Sequence, residues 1–76
     1  MDNTKFNWME QLITFYKTQT ALAAALNAFL GTTNIKTGHV YYWLRKGLPA
    51  SRAIEIEAMT DGLFNRRLLC PKFFDQ

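Results

Sequence analysis

Cys70 is the only cysteine in a chain of 76 residues. No internal disulfide can form, so the fold has to be held by one small apolar core. Hydrophobic residues make up 49% of the chain. That share suits a globular domain rather than a disordered segment. A single domain over residues 1–76 follows. The longest apolar run is too short to cross a bilayer, so no membrane span is expected. Met1-Asp2-Asn3-Thr4-Lys5 lacks the basic-then-apolar order of a signal peptide. Together with the free thiol, this points to a reducing cytoplasm.

The charge is unevenly distributed. The formal net charge is +3, yet residues 11–54 hold no Asp or Glu. That segment carries Lys17, Lys36, Arg45, Lys46 and Arg52, whereas the acids (Asp2, Glu10, Glu55, Glu57, Asp61 and Asp75) sit at the two ends. A basic segment between near-neutral ends is the electrostatic footprint of a polyanion-binding surface.

Apolar periodicity divides the chain into short helices. Over residues 6–16, Trp8, Met9, Leu12, Ile13, Phe15 and Tyr16 recur at helical spacing as core side chains, with Asn7 or Thr4 as cap. Thr18 is placed to cap a second helix over about residues 19–30. Its apolar face is Ala21, Leu22, Ala25, Leu26, Phe29 and Leu30, and its alanines leave it slim enough for another helix to approach closely. Gly31 suits the left-handed residue that ends a helix. Residues 32–36 form a polar connection with one apolar anchor, Ile35.

A later helix over about residues 50–59 sets Ala53, Ile56 and Met59 on one side, with Ile54 and Ala58 beside them and Pro49 in its first turn. Thr60-Asp61-Gly62 stops it. Leu63-Phe64 reads as a short extended link. Asn65 then caps a last helical turn over residues 66–70, which Pro71 terminates. Phe73 and Phe74 need cover, either by sealing the core or by contacting another subunit.

Between the second helix and Pro49 lies the most distinctive stretch, a helix over about residues 37–46 capped by Thr37 or the residue before it. At about 100° per residue, Val40, Trp43 and Leu44 share one side. Gly38, Tyr41, Tyr42, Arg45 and Lys46 share the other, with Thr37 and His39 at the edges. The outer side carries cations, phenols and an imidazole but no carboxylate. Such a face suits the major groove of DNA, where donors and phenols meet base edges and phosphates.

The order of helices gives a helix-turn-helix layout, in which the second helix of the pair enters the groove. Five stretches carry a resemblance: Thr18-Gln19-Thr20-Ala21-Leu22-Ala23, Gly38-His39-Val40-Tyr41-Tyr42-Trp43-Leu44, the run from Leu48-Pro49 to Glu57, Thr60-Asp61-Gly62, and Leu68-Leu69-Cys70-Pro71-Lys72-Phe73-Phe74. In this order they resemble a Cro-type phage repressor, more narrowly the YdaS-like Cro and antitoxin branch of the lambda-repressor-like superfamily.

The resemblance implies an all-α, compact domain of four to five helices, with helix or strand both open for the C-terminal segment. It implies a transcriptional repressor that binds a partly palindromic double-stranded DNA operator as a homodimer. By position, Gln19 would touch phosphate, while Thr37, Gly38, Tyr41 and Tyr42 would face bases. Val40 and Trp43 would hold the helix to the core.

The residues themselves suggest that Arg45 and Lys46 bind phosphate or steer approach. His39 would contact phosphate or pack at the helix start, and Thr33, Asn34 or Lys36 would add contacts from the connection. Arg66 and Arg67 are either a second phosphate patch or a surface pair. The connection from Leu30 to Thr37 exceeds the usual three- or four-residue turn. Either Gly31 begins an enlarged turn, or Asn27 takes the turn position and residues 28–36 are an insertion.

Other classes find less support. There is no glycine-rich phosphate loop, no nucleophile with a recognisable base and no convergent carboxylate pair, so neither an enzyme, a small-molecule substrate nor a cofactor is expected. His39, the only histidine, has no partners at metal-ligand spacing. The aromatic strand motifs of sheet-based RNA modules are absent. The main rival is an antitoxin-like interaction protein using Leu63, Phe64, Phe73 and Phe74 as its surface.

Overall fold

Six helices and no strand make up residues 7–74, which the computed structural model describes: α1 (Trp8–Tyr16), α2 (Gln19–Leu30), α3 (Thr37–Lys46), α4 (Ala50–Met59), α5 (Arg66–Leu69) and α6 (Pro71–Phe74). Short polar side chains open three of them. Asn7 Oδ1 accepts from the N–H groups of Met9 (2.9 Å) and Glu10 (3.2 Å). Thr18 Oγ1 accepts from Ala21 N–H at 3.0 Å, and Asn65 Oδ1 from Leu68 N–H at 3.0 Å. Each bond satisfies a donor that a helix start would leave open, typically a contribution of ~1 kcal/mol.

The core sits where α2 meets α1, α3 and α4. Leu12, Leu22, Leu26, Val40 and Ile56 are fully buried at its centre. Met9, Ala23, Ile35, Trp43, Leu48, Ala53, Phe64, Leu69 and Cys70 surround them. Five helices and four connections therefore contribute to one apolar cluster. Burial of each large aliphatic side chain contributes ~1.5–3 kcal/mol. No helix among the described residues is long and apolar enough to cross a membrane.

The structure departs from several sequence expectations. Phe15 and Phe29, both read as core, are 54% and 49% exposed. In α2 the buried face runs through Leu22, Ala23 and Leu26, which turns Phe29 outward. An alanine-rich helix is apolar around most of its circumference, so composition does not fix which side faces in. Phe15 instead lies against Tyr16 and Phe64, at centroid distances of 5.2 and 5.6 Å. Pro49 stands at the N-cap of α4 rather than inside its first turn.

The C-terminal segment also differs. Residues 63 and 64 lie in a bend rather than an extended link, because Thr60 Oγ1 accepts from Phe64 N–H at 3.1 Å and folds the chain back. α5 ends at Leu69, and Pro71 opens α6 instead of only terminating α5. A proline has no N–H to lose in a first turn, so it can begin a helix as readily as it ends one. Phe74 lies partly covered against Arg66, whereas Phe73 remains 65% exposed. The expected start at Phe6 and the alternative cap Thr4 lie outside the described residues.

Candidate nucleic-acid interface

The α2–α3 connection is an enlarged turn beginning at Gly31, the first of the two arrangements open to the sequence. Gly31 takes a left-handed conformation (φ 71°) that an L side chain rarely adopts. Thr32 N–H then closes on Asn27 C=O at 2.9 Å. The Asn27 side chain clasps the rest of the turn. Its Nδ2 donates to Ile35 C=O at 2.8 Å, and its Oδ1 accepts from Ile35 N–H at 3.1 Å and from Thr32 Oγ1 at 2.9 Å. Ile35 is buried beneath this clasp, so the turn is pinned through both its backbone and its side chain.

α3 starts from that fixed point. Its N-cap is Lys36, and the cap bond comes from within the helix. His39 Nδ1 accepts from Lys36 N–H at 2.9 Å. The imidazole also stacks along Trp43, with centroids 6.3 Å apart and planes 27° from parallel. On the opposite edge, the Thr37 and Thr20 hydroxyls pair at 3.0 Å and tie the start of α3 to the start of α2. Gln19, half-buried, stands next to that tie. Underneath, Val40 and Trp43 are buried, as their spacing predicts.

The outer face is open. Gly38, Tyr41, Tyr42, Arg45 and Lys46 are all exposed, Tyr42 to 59%. Arg45 Nη1 donates to Tyr41 Oη at 3.2 Å, and its guanidinium carbon lies 5.6 Å from the Tyr41 ring centroid. This one-turn pair orients the cation along the helix surface. No carboxylate lies on α3 or on the turn before it. The face thus combines hydroxyl groups, two cations and a glycine that admits close approach.

The expected residues do not form one surface with one role. Tyr41, Tyr42, Arg45, Lys46 and Gly38 project from the same helix side. Thr37 and His39 flank it, and both are engaged in bonds that hold α3. Lys36 and Asn34 are exposed on the turn beside its first residue. Arg66 is committed elsewhere. Its Nε donates to Glu57 Oε1 at 2.6 Å, its backbone N–H donates to the same oxygen at 3.2 Å, and its guanidinium lies 5.5 Å from the Phe74 ring centroid. These bonds hold the Glu57 carboxyl below its ordinary pKa of 4.5. Arg67 stays exposed.

Two residues gain weight from the structure. Asn27 sets the turn, and its sequence signal was limited to an amide in an otherwise apolar stretch. Arg52 reaches from α4 toward α3 and shares a small hollow with Asn34, Ile35, His39 and Trp43. Its signal was a cation at the end of the acid-free segment. Among the described residues, no group of three or more His, Cys, Asp or Glu side chains could hold a metal ion. Compared with protein-family models, curated proteins and solved structures, the chain finds no match.

Proposed function

We propose that this chain is a Cro-like, sequence-specific DNA-binding repressor of the helix-turn-helix type. α3 lies in the major groove of a partly palindromic operator, and two copies bind together. One observation carries the reading: an acid-free helix face of tyrosines and cations stands open on a helix whose opposite face is buried. Tyr41 and Tyr42 read base edges and thymine methyl groups, Arg45 and Lys46 hold phosphates, and Gly38 lets the backbone come close. Gln19 meets the phosphate row beside the start of α2. The Thr20–Thr37 tie supports this arrangement by keeping the two helix starts together.

The test is selection from random duplexes, followed by titration of the recovered duplex and a scrambled one at two salt concentrations. A repressor recovers a palindrome with half-sites about one helical turn apart and binds it ~10³-fold or more above scrambled DNA. Arg45→Ala weakens binding to both duplexes and lowers the salt slope by about one. No enrichment, with weak salt-sensitive binding alone, refutes the reading.

A second reading is an antitoxin-like interaction module. It is favoured by an open cleft of 530 Å³ between the end of α3 and the C-terminal segment, lined by Leu48, Pro49, Leu69, Pro71 and Phe73. Phe73 stands exposed at its side, whereas Phe64 is buried and belongs to the core. Phe73→Ser separates the two readings. An interaction module stays folded and loses its partner, while a repressor with intact α3 keeps its preference for the selected duplex.

A further inference from the structure

We infer that Asn34, His39 and Arg52 form a seat for one DNA backbone phosphate on the side of α3 that faces α4. The inference rests on the DNA reading of α3 and adds Arg52, a residue of another helix, to it. The three side chains line a hollow of 160 Å³ whose walls are Ile35 and Trp43. That space admits more than one water-sized group, which leaves room for phosphate oxygens.

The chemistry of the seat is one-sided. His39 Nδ1 accepts from Lys36 N–H, so in the neutral ring the proton sits on Nε2, which becomes a donor. Arg52 commits Nη1 to Glu55 and keeps Nε and Nη2 as donors. Asn34 contributes an amide. Ile35 and Trp43 give the hollow its apolar walls. Glu55 is the nearby acid, and it balances part of the Arg52 charge while fixing the guanidinium. Lys36, one residue before α3, adds positive charge to the same corner.

The seat is also held before any ligand arrives. His39 is fixed by its cap bond and its stack on Trp43. Asn34 precedes Ile35, whose backbone Asn27 clasps. Little ordering remains to be done on binding. Its placement fits a groove-bound helix, which runs between two phosphate rows. Around α3, Thr37 marks the edge tied to α2 and His39 the opposite edge. Gln19 meets one row and the Asn34–His39–Arg52 hollow meets the other.

The experiment compares wild type, Arg52→Gln, Glu55→Gln and Arg45→Ala in salt titrations on the selected and scrambled duplexes. Arg52→Gln weakens binding to both duplexes by the same factor, roughly tenfold, and lowers the salt slope by about one. Glu55→Gln releases Arg52 and removes an acid, so it tightens binding to both, a gain that a damaged fold would not give. Replacing single phosphates by neutral methylphosphonate identifies one linkage whose loss weakens wild type but not Arg52→Gln.

Unchanged affinity and slope in Arg52→Gln, with both lowered in Arg45→Ala, overturn the seat and leave the α3 reading intact. If neither variant changes binding to either duplex, the α3 reading falls as well. Inorganic phosphate titrated against the free protein, followed by the His39 ring signals, covers the other source of this ligand. Saturation lost in Arg52→Gln, without any effect of that variant on DNA, assigns the hollow to free anions and overturns its role on the duplex.

Discussion

Asn27 closes its side-chain amide around the backbone of Ile35, donating to its carbonyl and accepting from its N–H across eight residues. The amide does for the α2–α3 connection what a strand partner does for an edge, satisfying both backbone groups of one residue at once. Asn27→Ala leaves both groups to find water beneath a partly covered turn. The expected cost is about 1–3 kcal/mol, read from the urea midpoint at unchanged m value. Asn27→Asp keeps the acceptor and loses the donor, so it falls between the two. Equal midpoints for Asn27→Ala and wild type would show that the clasp contributes nothing.

His39 caps the helix in which it resides. Removing the imidazole leaves Lys36 N–H unpaired and strips the stack from Trp43. His39→Ala should lower stability by about 1 kcal/mol. It should also speed amide exchange at the Lys36 N–H more than at the amides of the last turn of α3. Exchange changed equally along the whole helix would place the effect in global stability and not in the cap.

Glu57 gives the fold an acid-sensitive bond. Its pKa is lowered in the folded state by the Arg66 side-chain and backbone bonds. The folded state holds its proton less tightly than the unfolded chain, so the contribution is complete above the unfolded value of about 4.5. It is lost as pH falls through the lowered folded value. Between pH 6 and 3, wild type should lose more stability than Glu57→Gln. Parallel pH profiles for the two proteins would remove this pair from the acid response.

Cys70 is buried, and its thiol donates to Leu48 C=O at 3.2 Å. The contact joins the C-terminal segment to the link between α3 and α4. A thiol reagent should therefore react slowly with native protein and rapidly in urea, with the rate following the unfolded fraction. Fast labelling without urea would mean that α5 and α6 open on their own.

Much of the helical order was legible because apolar spacing and short-range caps act within one turn. Val40 and Trp43 fell on the buried side of α3, Thr18 and Asn65 began helices through their side-chain oxygens, and Gly31 ended α2 through its left-handed backbone. What escaped were choices made between elements. Phe29 and Ala23 exchanged places because α2 is apolar on several sides, and only its neighbours select the buried one. Asn27 finds its partner eight residues on, through a backbone that has no side-chain signature. Arg52 comes to share a hollow with His39 and Asn34 only once α4 has packed against α2. Pro71 could close one turn or open another, and the docking of the tail selects between them.

Apart from His39 and Thr37, the side chains that grip α3 are not those it displays. Val40 and Trp43 anchor it below, His39 and Thr37 fasten its start, and Gly38, Tyr42 and Lys46 take no part in either task. Positions 38, 42 and 46 can therefore be rewritten at little cost, typically within ~0.5 kcal/mol each for a surface change. Position 45 can change with them if position 41 changes too. A lineage built on this scaffold can acquire a new vocabulary on α3 without renegotiating the fold that presents it.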